Sequence, residues 1–311
     1  MMRWVLPYID QPGTFWECVA EAVAPDRAMV YFPLSAAATA AAPIASGRPP
    51  QPSAHVRALL ASDFVERSVL LNPIVHDGPA ERVFAEVEPA LRRLTQESAI
   101  AEAVLASVGL ARLVHAAFPG LSLAASTLLE VSTPAQAVYL EGFFDTLVPS
   151  DRAMRNIGAL GALRDAFPGR IRLMANEGCL PGCVYRAQHF FEMARGEALP
   201  ASLCAGLMRR EPWLALTGAW VLPQHLDLYD GLYDEIKLDG RVTLCDPERY
   251  LRVLRAYVTR EPLQLAGIGG GPATEPPVPE ITREFYEYTL ACAKTCASCD
   301  ICRIYYEGAR G

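Results

Sequence analysis

Arg172-Leu-Met-Ala-Asn-Glu-Gly-Cys-Leu-Pro-Gly-Cys-Val-Tyr-Arg-Ala-Gln-His189 is a strand-like apolar run that stops at two cysteines, with arginine and histidine behind them. Ile171 to Ala175 alternates apolar and basic residues at the period of a strand, and Gly178, Pro181 and Gly182 then mark a tight loop. From Tyr185 to Ala194 the pattern becomes helical. Working outward, the spacing predicts further strands at 28–34, 67–71, 122–126, 146–148, 213–221, 235–238 and 263–266. It predicts helices at 15–23, near 54–62, at 80–96, near 98–107, and at 110–117, 134–140, 154–166 and 247–259. Strands separated by helical segments imply a parallel sheet with crossover helices. Eight of them point to a closed (β/α)8 TIM-like barrel, whose working end is the carboxyl end of its strands. An open doubly wound sheet is the alternative, but Pro33-Leu-Ser-Ala-Ala after the first predicted strand lacks the dinucleotide fingerprint.

On this reading residues 1–266 form the barrel. Residues 267–280 form a Gly/Pro-rich linker, and residues 281–311 a helix plus a cysteine-rich metal-binding tail. Gly267-Ile-Gly-Gly-Gly-Pro-Ala-Thr-Glu-Pro-Pro-Val-Pro279 reads as a linker rather than a phosphate cradle, because its prolines cannot open the helix such a cradle needs. Ser35 to Pro52, rich in alanine and proline, reads as a loop. With 311 residues, 51% of them hydrophobic, the chain can bury a full core. No apolar run is long enough for a membrane span. A net charge of −7 argues against a general nucleic-acid surface, though not against a small basic pocket. Met1 to Gly13 lacks the long apolar segment of a secretory leader, so a cytoplasmic location is expected.

Of nine cysteines, eight follow Gly178. Cys179 and Cys183 stand in the Gly/Pro loop, where two thiols can converge on one metal; the plainer reading is a pair of core cysteines. Cys292, Cys296, Cys299 and Cys302 fall within eleven residues in a C-x3-C-x2-C-x2-C pattern suited to a 4Fe-4S cluster or to zinc. Either the quartet binds a cluster alone and Cys179 and Cys183 hold a second with Cys204 and Cys245, or the pair joins members of the quartet around one cluster. The second arrangement, preferred here, folds the tail over the barrel mouth. Cys204 and Cys245 suit core or cap positions as well as ligation, and Cys18 is expected on the apolar face of the first helix.

The run Asn176-Glu-Gly-Cys-Leu-Pro-Gly-Cys-Val-Tyr-Arg-Ala-Gln-His-Phe190 resembles the post-strand cysteine motif of the collagenase-like peptidase U32 family, and Ile236-Lys-Leu-Asp-Gly-Arg241 resembles its K-I-x-G-R segment. Leu121 to Thr127, Val131-Ser-Thr-Pro134 and Leu254-Arg-Ala-Tyr257 follow the family's order, so the resemblance spans most of residues 65–260. It implies a barrel with a cysteine-bound 4Fe-4S cluster. It also implies oxygen-independent hydroxylation, as in the short members acting on the ubiquinone ring, and a paralogous protein partner. The chain departs from the family pattern in having no cysteine between Cys204 and Cys245 and in adding the dense C-terminal quartet.

Glu177, Arg186 and His189 lie near the predicted strand end as a base, an anion clamp and a proton shuttle. Lys237 and Arg241 would add positive charge for a carboxylate or phosphate. Internal ion pairing is the plain alternative for these groups. Three functions remain open: an iron–sulfur enzyme acting on a small anionic or aromatic molecule, a metal-stabilised binding subunit, and a peptidase. The last is the poorest match, because the chain has no H-E-x-x-H motif and no serine elbow.

Overall fold

The computed structural model describes residues 2–34, 55, 59–60, 62–72, 79–97, 99–194, 203–240, 244–268, 278–296 and 298–309. Eight parallel strands close into a barrel in chain order. They are β1 Arg3–Pro7, β2 Arg27–Pro33, β3 Glu66–Leu71, β4 Glu102–Leu105, β5 Ser122–Ala125, β6 Thr146–Leu147, β7 Arg170–Met174 and β8 Glu235–Lys237. The expected number of strands is therefore correct, but two members differ. Residues 213–221 and 263–266 are not strands; they form 3-10 turns at Pro212–Thr217 and Leu265–Gly267. Their places are taken by β1 and by β4, which lies where a helix near 98–107 was expected.

The helices named below are α1 Gly13–Val23, α2 Ala80–Gln96, α3 Val108–Ala117, α4 Pro134–Val138, α5 Asp151–Met154, α6 Ile157–Ala166, α7 Arg186–Ala194, α8 Leu203–Arg210, α9 Pro247–Thr259, α10 Arg283–Leu290 and α11 Ile301–Gly308. The expected helix at 154–166 is two pieces, because the chain turns at Arg155 and Asn156 caps α6 by accepting from the Ala159 amide at 2.9 Å. Cys18 is a correction: the buried face of α1 is Phe15, Trp16, Val19 and Val23, and Cys18 is exposed. The loop at 35–52 lies outside the described residues, as does most of the helix near 54–62.

Side-chain alternation along each strand separates two apolar groups. Val5, Met29, Tyr31, Leu70, Val104 and Ala124, from β1 to β5, form a cluster of their own inside the barrel. The larger cluster, with Leu6, Val30, Val69, Leu105, Leu123, Leu173 and Ile236, lies between the barrel and its helices. At the amino ends of the strands the interior is polar. Arg172 donates to Glu102 at 2.9 and 2.5 Å and to Glu235 at 2.6 Å. Ser68 donates to Glu102 at 2.9 Å, while Arg3 and Arg170 reach Glu235 at 2.7 and 3.0 Å. Arg172, Glu102 and Glu235 are almost fully buried, so the barrel floor is closed by a matched set of charges. The Arg172 guanidinium loses hydration on burial, yet Glu102 and Glu235 more than offset that and raise its pKa.

Candidate functional site at the barrel mouth

The carboxyl ends of β5, β6 and β7 bring a charge cluster together around a buried arginine. From β5, the Ser126–Glu130 turn ends in the left-handed region at Glu130, with φ of 55°, a conformation unusual for glutamate and typical of over-determined sites. From β6 comes Asp151, and from β7 come Glu177 and, after the Gly/Pro loop, Arg186 at the start of α7. Arg186 is 5% exposed. Its Nε donates to Glu130 at 2.7 Å and lies 3.8 Å from Asp151; its Nη2 lies 3.6 Å from Glu177 and 3.4 Å from Thr127 Oγ1. Burial opposes its charge, but the surrounding carboxylates prevail and raise its pKa. Arg186 is thus held by three carboxylates, where the sequence suggested an open anion clamp.

The cysteine loop is fixed from both sides. Gly182, at φ of 67°, donates its amide to Asp151 at 2.8 Å, and the Cys179 amide donates to Glu177 at 3.1 Å. The Cys179 carbonyl accepts from the Ala219 amide at 3.2 Å, and Val221 pairs with Ala175. Asn176 closes the neighbouring turn by accepting from the Asp239 amide at 2.6 Å and donating to the Asp239 and Ile268 carbonyls at 2.7 and 3.1 Å. Burial, with Glu177 beside it, pushes the Cys179 thiol well above the ordinary range.

Of the other expected site residues, Lys237 lies inside the barrel at the end of β8, its ammonium 4.6 Å from the centre of the Tyr31 ring. Tyr31 donates to the Leu238 carbonyl and to Asp239, each at 3.1 Å. His189 is half-buried on α7 and stacks on Phe190 at 5.7 Å, the ring on which Arg186 also lies. Arg241 lies outside the described residues. Cys204 is half-buried on α8, and Cys245 is exposed.

The tail returns to this end of the barrel. Helix α10 buries Phe285 and Tyr286, and Tyr286 shares a hydroxyl contact of 2.8 Å with Tyr229 and stacks on His225 at 4.4 Å. Helix α11 runs along Pro212–Thr217, with Arg303 beside Glu211 at 3.6 Å and over the Trp213 ring. The segment between the two helices carries Cys292, Lys294, Cys296 and Cys299, Cys302 follows in α11, and the Lys294 ammonium donates to the Thr217 carbonyl at 3.5 Å. Burial raises the Cys302 thiol pKa against the pull of Arg155 and Lys294. Burial and Arg155 both lower that of Lys294.

The donor chemistry fits a thiolate-bound metal centre: four thiols in one short segment, two adjacent cations, and an amide donated from Lys294 to Cys292 Sγ at 3.3 Å. Among the described residues, no three His, Cys, Asp or Glu side chains are gathered at metal-binding distance. Sequence reasoning missed Glu130, Asp151 and Arg155. The available signal was Ser150-Asp-Arg-Ala-Met-Arg155, a polar run directly after a predicted strand.

No family model matches the chain. Over 175 residues, half of this chain and half of the relative, it is 26% identical to the uncharacterized protease MJ1657 of Methanocaldococcus jannaschii, so it spans about half the length of the curated relative it matches. Phosphoribosyl anthranilate isomerase from Thermus thermophilus aligns with 83% of the chain and 98% of its own at 15% identity and a TM-score of 0.43. The structure of the U32 peptidase Mk0906 aligns with 76% of this chain and 92% of its own at 16% identity and a TM-score of 0.54. The chain thus shares the barrel fold of that U32 peptidase structure and, over half its length, is similar in sequence to a protein named as a protease.

Proposed function

We propose that the chain is an iron–sulfur enzyme of the U32 kind, carrying out oxygen-independent hydroxylation or related redox chemistry on a small anionic or aromatic molecule at the barrel mouth. The observation that carries this reading is the return of the cysteine-rich tail to the end of the barrel that bears Cys179 and Cys183, the working end of such barrels. Cys179, Cys183, Cys292, Cys296, Cys299 and Cys302 would supply the ligands. When bound, a 4Fe-4S cluster supplies one-electron transfer tuned by neighbouring hydrogen bonds and charges. Lys237 and Tyr31, in contact with each other inside the barrel, supply a cation and an aromatic face suited to an anionic or aromatic substrate. Glu177 and Arg186 hold each other and the Cys179 backbone in register, and His189 follows one turn later on α7. All nine cysteines are unpaired, which suits a reducing cytoplasm.

Peptide hydrolysis is the second reading, favoured by the protease and peptidase names of the two similar proteins. A zinc-stabilised subunit docking a paralogous partner is the third. Anaerobic purification, with iron, sulfide and zinc quantified per chain and the visible absorption recorded, separates them. About four irons in the parent, lost in both Cys179→Ala and Cys296→Ala, is the expected result. Zinc lost only on changing Cys296 would replace it with the binding-subunit reading. Peptide cleavage without bound metal would favour the peptidase.

A further inference from the structure

Arg155, at the turn between α5 and α6, is almost fully buried. Its Nη1 donates to the Leu216 and Gly218 carbonyls at 2.7 and 2.9 Å, and its Nη2 donates to Thr289 Oγ1 at 2.6 Å. The guanidinium lies 3.8 Å from the Trp220 ring centre and 5.0 Å from that of Tyr286. One side chain thus grips three pieces of chain: the exit of β6, the 216–220 segment, and α10 just before Cys292. Two of these lead directly to the first cysteine group. Ala219, next to Gly218, donates its amide to the Cys179 carbonyl, and Asp151, four residues before Arg155, accepts from the Gly182 amide.

Charge balance points the same way. Among the described residues, no carboxylate pairs with Arg155; its hydrogen-bond partners are two carbonyls and a hydroxyl. A buried guanidinium without a carboxylate relies on these bonds and on the two rings beside it to offset its lost hydration, so its place is fixed by the three pieces of chain it joins.

We propose that Arg155 is a positioning residue that sets the Cys179–Cys183 loop and the C-terminal quartet in one frame. The two cysteine groups then serve one centre, which deepens the reading above and rests on its placement of metal at both groups. Lysine cannot reproduce this role, because a point cation lacks the planar fork that reaches carbonyls and hydroxyl together.

The test is rate-resolved alkylation of the full, anaerobically purified chain, read by mass spectrometry at each cysteine, for the parent, Arg155→Met, Arg155→Lys and the milder Thr289→Val. Cys204, half-buried on α8, reports general loosening. The expected result is a rise of about tenfold or more at Cys179, Cys183, Cys292 and Cys302 together in Arg155→Met. A smaller joint rise is expected in Thr289→Val, incomplete rescue in Arg155→Lys, and no change at Cys204. A rise confined to Cys292–Cys302 would make Arg155 a tail anchor only and overturn the proposal, as would an equal rise at Cys204. A joint rise in a chain that carries no metal would sink the iron–sulfur reading while leaving the positioning role intact.

Discussion

Arg172→Met tests whether the barrel floor is held by its charges. The substitution leaves the buried Glu102 and Glu235 without the guanidinium that bridges them. Glu235 keeps Arg3 and Arg170 at 2.7 and 3.0 Å, but among the described residues Glu102 keeps the Ser68 hydroxyl alone, so most of the cost falls on Glu102. Removing one partner of a buried ion pair costs about 3–5 kcal/mol. For 311 residues, an unfolding entropy of about 2.1 cal/mol/K per residue gives about 0.65 kcal/mol/K, so Tm should fall by about 5–8 °C. Adding Glu102→Gln removes the stranded charge and should recover more than half of the loss. Acid sensitivity provides a second readout. Burial alone would raise the Glu235 carboxyl, but Arg172 outweighs it and holds the group below its ordinary 4.5. Stability from Glu235 is therefore present above pH 4.5 and is lost as pH falls through the lowered value in the folded chain, so Arg172→Met should flatten this limb. Urea unfolding and calorimetry across acid pH measure both effects. A loss below about 1 kcal/mol, the worth of an exposed ion pair, would refute the floor network.

Tyr229→Phe removes the buried hydroxyl partner 2.8 Å from Tyr286, whose remaining bond is to the Leu222 backbone, and should cost about 1 kcal/mol in urea unfolding. The double change to phenylalanine should come back most of the way, and simple additivity of the two single changes would count against the pair. His225 is 4% exposed, stacked on Tyr286, and held neutral by burial, so its pKa lies below the ordinary 6.5. Its contribution is full above pH 6.5 and declines as pH falls toward the lowered value, because the unfolded chain then binds the extra proton. His225→Phe should remove that part of the pH dependence below the ordinary 6.5; identical slopes in parent and variant would show that His225 does not carry it.

The strand–loop–helix at 170–194 was legible because alternation, then glycine and proline, then helical spacing fall in one unbroken stretch. Strand β4 was not, since Glu102-Ala-Val-Leu105 suits a helix by local propensity. What makes it a strand is tertiary: Glu102 must reach Arg172, 70 residues away, inside the barrel. The reverse holds for Trp213 to Val221, whose composition suits a strand. Its carbonyls at Leu216 and Gly218 instead turn toward Arg155, a partner no local pattern announces. The site divides in the same way. Glu177, Cys179 and Arg186 share one motif and could be read from it, whereas Glu130 and Asp151 come from other strands and meet Arg186 only after the barrel closes.

The two ends of the barrel use charge differently, and the difference bears on where chemistry can occur. On the floor, Arg172 is matched oxygen for nitrogen by Glu102 and Glu235, leaving those groups no spare capacity for a ligand. At the mouth the matching is broken in opposite senses at neighbouring places: three carboxylates meet one guanidinium at Arg186, while Arg155 is held by two carbonyls and a hydroxyl, with no carboxylate among the described residues. A tail detached from the barrel would take away the Thr289 hydroxyl and the Tyr286 ring, leaving Arg155 with the Leu216 and Gly218 carbonyls and the Trp220 ring. Docking of α10 and the placement of Arg155 are therefore mutually stabilising, which joins the C-terminal cysteine segment and the barrel mouth in one cooperative unit.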